Sequence, residues 1–329
     1  MIPSSFSSFM VSSEDHDARL DRWFTRHFPG ISQAMVQKNL RQKKIRLNGL
    51  KTTTATRLQK GDSLSIHLSL IKAQQPSLER PQPIVSRETL KRVKEVPSWI
   101  LREEPGLLIL NKPQGLATQG GTGLKTSVDE ILNLFLKEKN QKAYLVHRLD
   151  KDTTGLLLVA LTPSMATALG ALFQNREIQK TYWAICGGVP PQLEGRHEMW
   201  MAKRPGRNGE KMELTGAETS GALQAICTYR VLDQGDDMSL VELHPQTGRT
   251  HQLRLQMATL GCPILGDGKY GGKKAHTGGR HTVHLHAMSL QFKHPQTHKD
   301  LKVSAPLPPH FQETFQMFLP NHPQAPCKD

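Results

Sequence analysis

The chain has 329 residues, enough for one large domain and a smaller one, each with its own core. Apolar residues make up 37%, and no stretch approaches the ~20 consecutive apolar residues of a membrane helix, so no membrane span is expected. Lys and Arg outnumber Asp and Glu by 43 to 29, leaving +14 and a pI near 9.7, which favours a polyanionic partner such as nucleic acid.

The four cysteines, Cys186, Cys227, Cys262 and Cys327, are scattered and form no CxxC pair. A zinc ribbon or disulfide framework is therefore unsupported, and a reducing, cytoplasmic setting fits. Residues 1–16 are Ser-rich and show no basic segment followed by an apolar core, so they are expected to be a disordered lead.

Residues 17–70 read as a compact unit. Leu20, Trp23, Phe24 and Phe28 recur at helical spacing, and Pro29-Gly30 ends that helix. Ser32 can cap a second helix with Val36 and Leu40 inward. Ile45-Arg46-Leu47 alternates into Asn48-Gly49, a tight-turn signal, and Leu64-Ser65-Ile66 forms a second short strand. Residues 1–70 hold 11 Lys/Arg against 5 Asp/Glu, with Arg41, Lys43, Lys44 and Arg46 placed to meet phosphates. A small α+β cap with a solvated basic face is the plainer alternative.

Between residues 71 and 96, Pro76, Pro81 and Pro83 interrupt a polar stretch that reads as a linker. The main domain is expected over 97–320, followed by a frayed end at 321–329. Within it, Leu107–Leu110 and Leu156–Leu161 are buried-type strands, and Lys180–Val189 and Val283–Phe292 are alternating ones. Ser127–Leu136, Ser164–Phe173 and His251–Leu260 are helix-like. Many strands with few intervening helices argue for an α+β fold with a mixed or antiparallel sheet.

Three segments carry candidate chemistry. In His147-Arg148-Leu149-Asp150-Lys151-Asp152-Thr153-Thr154-Gly155, the carboxylate of Asp150 sits in a loop directly before a strand, beside cations that favour its ionised form. A turn-stabilising Asp is an equal reading; a Ca²⁺ loop lacks the required ligand spacing. In Thr247-Gly248-Arg249-Thr250-His251-Gln252-Leu253-Arg254, two arginines flank a helix start, able to serve a carboxylate and a phosphate, or RNA backbone alone. Lys180-Thr181-Tyr182 lies on a strand, with two readings for the Tyr: projection into a pocket or into the core.

Other features weigh less. His281, His284 and His286 suggest a metal-dependent hydrolase but lack a nearby acidic ligand, and no metal is expected. Gly120-Gly121-Thr122-Gly123 lacks the Lys-Ser/Thr that closes a P-loop, and no Gly-rich nucleotide fingerprint occurs, so no cofactor is expected. Lys203, Arg204, Arg207 and Lys211 crowd one loop, either contacting RNA or solvated.

Residues 17–70 resemble an S4-type RNA-binding domain, on Arg19-Leu20-Asp21, Ser32, Arg46-Leu47-Asn48-Gly49 and Gly61-Asp62 in that order. Residues 97–320 resemble the RluA-type pseudouridine synthase family. The match rests on Asn111-Lys112-Pro113 with Gly115, the His147–Gly155 run, Arg176 with Lys180 and Tyr182, Pro245 with Thr247–Arg254, Gly266-Asp267, Tyr270-Gly271, His286-Ala287 and His294-Pro295. The resemblance implies a cofactor-free isomerisation of uridine in structured RNA, with large-subunit ribosomal RNA expected and transfer RNA the alternative. It implies that Asp150 is the nucleophile, attacking either the ribose or the base. Tyr182 stacks on the base and is implicated in its deprotonation, and Arg249 pairs with the aspartate. His147, Arg148, Lys180 and Arg254 handle the nucleotide and its backbone. A monomer is expected; an S4-bearing protein that has lost catalysis is a further alternative. Gln256, Gln119 and Cys262 stand where the family often has His, which touches substrate contacts more than chemistry.

Overall fold

The computed structural model describes residues 5–72, 85–120, 126–206, 209–235, 237–279 and 281–318. The expected frayed end, most of the 120–123 glycine turn and Arg207 lie outside these. The chain divides into two compact units, Met1–Ile84 and Val85–Asp329. Among the described residues no helix is long and apolar enough to cross a membrane.

In the first unit, strands β1 (Phe6–Met10), β2 (Ile45–Leu47) and β3 (Ser63–His67) form an antiparallel sheet ordered β1–β3–β2. Helices α1 (Leu20–His27) and α2 (Gln33–Arg41), with the short α3 (Leu68–Lys72), complete it. Leu20, Trp23, Phe24, Val36 and Leu40 bury their helical stripes against Ile45, Leu64 and Ile66. The Ser32 hydroxyl accepts the Met35 N–H, capping α2, and Asn48 and Gly49 turn the chain at positive φ (49° and 78°). Residues 6–16 are not a disordered lead. Phe6–Met10 is an edge strand paired with β3, and Phe9 packs edge-on against Trp23 and Phe28. The surrounding serines hid this strand, because Phe9 alone among its residues packs on the core, while Phe6 faces the other side, against His67 and Arg46.

The second unit carries strands β4 (Ile100–Glu104), β5 (Leu107–Lys112), β6 (Tyr144–Leu145), β7 (Thr154–Ala160), β8 (Gln179–Gly187), β9 (Glu194–Gly206), β10 (Gly209–Thr215), β11 (Leu223–Gln234), β12 (Met238–Pro245), β13 (Leu285–Lys293) and β14 (Asp300–Ser304). They form one mixed sheet of 11 strands, with the path β10–β9–β11–β12–β8–β13–β7–β5–β4, β14 beside β13 and β6 beside β7. Helices α4 (Arg87–Trp99), α5 (Val128–Lys137), α6 (Pro163–Gln174), α7 (Gln252–Thr259) and α8 (Pro309–Phe318) accompany it. The fold is α+β. The main domain also begins earlier than expected, because 87–99 is helix and not linker. Ser86 caps α4 by accepting the Thr89 N–H, and Val96 and Trp99 reach the core. Pro97 falls in the last turn, where it does not prevent the helix from forming.

All pairings along the path are antiparallel except β7–β13, which is parallel. One row across this seam aligns Lys112, Gly155, Ala287, Tyr182 and Leu243 on five neighbouring strands. Gly155 makes the seam possible: its φ is +102°, and a Cβ there would lie 2.3 Å from the Ala287 carbonyl oxygen. Segments far apart in sequence are thus brought side by side. The Asp150 loop enters β7 beside this row.

Candidate active site

The loop bearing Asp150 is clamped on both sides. Upstream, the Thr118 hydroxyl donates to the Leu149 carbonyl (2.7 Å) and accepts the Leu149 N–H (3.0 Å). Downstream, the Lys112 ammonium donates to the carbonyls of Lys151 (3.1 Å), Pro113 (2.8 Å) and Leu116 (2.9 Å). Lys112 is 1% exposed, and burial pushes its pKa down to about 7 against the opposing pull of Asp152 and Asp150. In its ammonium form it places one proton on each of these three carbonyls. Neither Lys112 nor Thr118 was assigned this part from sequence. The Asn111-Lys112-Pro113 segment marked the first; nothing beyond a polar side chain near a turn marked the second.

A second clamp holds the segment before α7. The Thr247 hydroxyl accepts the Ile226 N–H (2.8 Å) and donates to Gln252 Oε1 (2.8 Å), which also accepts the Arg249 N–H (3.0 Å). Gln252 and Gln256 are bonded to each other, and Gln256 donates to the His197 carbonyl (3.0 Å). The glutamine at 256 therefore ties α7 to β9.

Arg254, 6% exposed, grips Asp267 with two bonds of 2.7 Å from Nε and Nη2. Its remaining Nη1 lies 3.9 Å from Asp150 Oδ2. Burial opposes the Arg254 charge, but the bonds and charge of Asp267, then Asp150, raise its pKa further. For Asp267, burial alone would raise the carboxyl; the Arg254 bonds and charge overcome this and hold it below the usual range. His251 Nε2 sits 4.0 Å from the same Asp150 oxygen.

The structure therefore brings Arg254, not Arg249, to Asp150. Arg249 is exposed and donates from Nε to the Gln224 carbonyl (3.2 Å). The reason is the backbone at His251, which adopts φ 53° and turns the chain between the two arginines.

Asp150, Tyr182, Arg148, Lys180, Arg249 and Arg254 line one cleft of about 130 Å³, with Pro245, Leu253 and Leu285 among its apolar walls. Tyr182 is part-buried, and burial, the Asp150 charge and Cys227 raise its pKa. A phenol held protonated offers its ring face more readily than a proton acceptor. Burial and then Arg176 lower the Lys180 pKa.

His147 does not line the cleft. Its Nε2 accepts the Leu158 N–H (2.8 Å), its ring stacks on Phe173 at 4.5 Å, and burial pushes its pKa down to about 3. A neutral imidazole whose Nε2 is bonded to the β7 backbone holds the loop. Arg41, Lys43, Lys44 and Arg46 belong to the first unit. There Arg41 and Lys43 are exposed, Lys44 shares a groove with Lys38 and Gln42, and Arg46 donates to the Lys43 carbonyl while lying over the Phe6 ring. Of the histidine cluster noted in the sequence, His286 Nδ1 meets the Thr154 hydroxyl (2.7 Å), His284 Nε2 meets Thr314 (2.9 Å), and His281 lies against the His276 ring. No group of three or more His, Cys, Asp or Glu among the described residues is arranged to hold a metal.

Residues 106–259, from the start of β5 to the end of α7, match the family model described as RNA pseudouridylate synthase. The chain is 34% identical over 301 residues to ribosomal large subunit pseudouridine synthase C of Rickettsia felis, covering 91% of this chain and 96% of that protein. The chain belongs to the RNA pseudouridylate synthase family. A similar relative in Vibrio cholerae, also named ribosomal large subunit pseudouridine synthase C, is 31% identical, with 90% of this chain and 92% of that one covered. Among solved structures, human RNA pseudouridylate synthase domain containing 4 superposes with a TM-score of 0.59 at 28% identity, over 70% of this chain and 96% of its own. The match to the family model ends before Asp267 and Tyr270. This synthase therefore completes its Arg254 pairing from a segment outside the matched residues.

Proposed function

We propose that this pseudouridine synthase modifies uridines of large-subunit ribosomal RNA, with Asp150 as its nucleophile. One observation carries the reading: the Asp150 carboxylate faces the guanidinium of Arg254 in a cleft walled by Tyr182. The isomerisation breaks the bond between uracil N1 and the ribose C1′ and makes one from C5 to C1′. The C5 proton leaves and N1 gains one, so no oxidant, water or metal enters the balance. Asp150 attacks either C1′ or the uracil ring, and the Arg254 charge favours the anionic form that can do so. Tyr182 supplies a ring face against which the detached uracil is held while it turns. The target base must leave its stack to reach Asp150, and the apolar walls and Tyr182 replace the contacts it loses.

The ribosomal substrate is supported by the names of the relatives from Rickettsia felis and Vibrio cholerae. The first unit binds RNA backbone through the exposed Arg41 and Lys43 and the groove of Lys38 and Lys44. In the second, Arg148 and Arg249 at the cleft meet phosphates beside the target. The test is a map of pseudouridines across all RNAs from cells with the gene intact, deleted, or replaced by Asp150→Ala. Sites in large-subunit RNA should vanish in the last two. A deletion that changes no pseudouridine overturns the substrate reading; normal modification with Asp150→Ala overturns the nucleophile.

A further inference from the structure

We propose that His251 is a positioning residue for Asp150, fixed in one tautomer by Tyr270, and that together with Arg254 it selects which carboxylate oxygen reacts. This rests on the reading of Asp150 as the nucleophile.

His251 occupies the N-cap of α7 in the left-handed region (φ 53°, ψ 22°), yet its side chain makes no capping bond. The side chain, not used by its own helix, lines the cleft instead. Its Nδ1 lies 2.7 Å from the Tyr270 hydroxyl. That hydroxyl oxygen accepts the N–H of Met212 on β10 (3.2 Å), and among the described residues the acceptor within its reach is His251 Nδ1. Burial raises the Tyr270 pKa, so the phenol keeps its proton and donates it there. Burial lowers the His251 pKa, with Arg254 and Lys269 lowering it and Asp150 and Asp267 raising it, so the ring is neutral and has one proton of its own. With Nδ1 accepting, that proton is on Nε2.

Nε2 points at Asp150 Oδ2 from 4.0 Å, and Arg254 Nη1 approaches the same oxygen from 3.9 Å. Among the described residues, Oδ1 has no hydrogen-bond or ion-pair partner. Once both donors are drawn onto Oδ2 they stop the carboxylate from rotating and leave Oδ1 free to attack. Both separations are longer than a hydrogen bond here, and on this proposal they close when substrate fills the cleft. In the other tautomer, His251 would turn a lone pair toward the carboxylate and repel it. Tyr270 is held in turn between cations, with Lys211 5.2 Å and Arg254 5.4 Å from its ring centroid. Because Lys211 and Met212 belong to β10, the β9–β10 hairpin sets the tautomer at a distance.

Two measurements test this. In full-length protein with ¹⁵N-labelled histidine and no RNA, the His251 ring should show a protonated Nε2 and a bare Nδ1, and Tyr270→Phe should weaken that preference. A protonated Nδ1 in the wild type overturns the proposal, whatever the role of Asp150. Single-turnover rates are then read on a large-subunit RNA fragment that the wild type modifies. His251→Leu should slow the bound-state step roughly tenfold or more with RNA affinity unchanged, and His251→Gln, which keeps a donor at the Nε2 position, should lose less. Tyr270→Phe should slow the wild type several-fold but add little to His251→Gln, where no tautomer remains to be set. Equal effects of Tyr270→Phe in both backgrounds would mark a merely structural tyrosine and overturn the proposal. Failure of the Asp150 reading is distinguished by full activity in Asp150→Ala.

Discussion

Arg254 gives the sharpest test of how the site is charged. Its Nη1 lies 3.9 Å from Asp150 Oδ2 while its other edge holds Asp267. At that separation, with an effective dielectric near 20, opposite unit charges attract by about 4 kcal/mol, which caps the rate lost with the guanidinium at roughly a thousandfold. Arg254→Met alone would mislead. Asp267 is 0% exposed, and stripping its partner would leave a buried unpaired carboxylate, at a cost of about 3–5 kcal/mol in stability. The double change Arg254→Met with Asp267→Asn removes both charges, and the amide oxygen can still accept the N–H groups of Lys269 and Tyr270. Single-turnover release of tritium from C5 of the target uridine reads the chemical step, and filter binding reads RNA affinity. The double variant should fall by roughly 100- to 1000-fold in the bound-state rate with affinity little changed. Arg249→Ala should do the reverse, weakening binding and leaving the bound-state rate nearly intact. An Arg249→Ala enzyme slower in the bound state than the double variant would refute the pairing of Arg254 with Asp150.

Gly155→Ala should destabilise the second unit by about 3 kcal/mol or more, because its Cβ meets the Ala287 backbone at positive φ. Gly170→Ala in α6, where nothing lies within 4 Å of the added Cβ, should be stabilising by about 0.5–1 kcal/mol; urea unfolding of the two reads the contrast, and equal midpoints would contradict it. Burial holds His284 and His286 near a pKa of about 4, so between that value and ~6.5 the unfolded chain binds protons that the folded one does not. Stability is then full above about pH 6.5 and falls with acid, by about 2 kcal/mol per histidine near pH 5, and a flat urea profile over that window would count against both burials. Removing residues 1–84 should weaken RNA binding more than it changes the bound-state rate, and unchanged binding would assign the first unit another task.

The sequence made most elements legible because their signals are local. Ser32 and Ser127 announced helix starts, Leu107–Leu110 and Leu156–Leu161 announced buried strands, and Asn48-Gly49 announced a turn. Residues 6–10 and 87–99 were missed where a local signal pointed the wrong way. Serines around Phe6 and Phe9 read as disorder, and Pro97 read as a domain start although it lies in the last turn of a packed helix. His147 was misplaced for another reason. Its neighbour in the chain is Arg148 on the cleft, but its own ring is spent on the Leu158 N–H and on Phe173.

The site itself divides along the same line. Asp150 and Tyr182 could be paired from motifs alone, yet their nearness depends on a register, Gly155 opposite Ala287 and Ala287 opposite Tyr182, across one parallel and one antiparallel seam. No periodicity in the chain encodes that register; a glycine without room for a Cβ does, and only once its neighbour is known. The choice between Arg249 and Arg254 was harder still. Both arginines suit a carboxylate, and they differ only in lying before or after His251. A single left-handed residue at that point sends Arg249 out to the Gln224 carbonyl and carries Arg254 inward between two aspartates. The same backbone turn aims the His251 ring at Asp150. One dihedral angle, invisible in a string of letters, therefore decides both which cation and which imidazole the carboxylate meets.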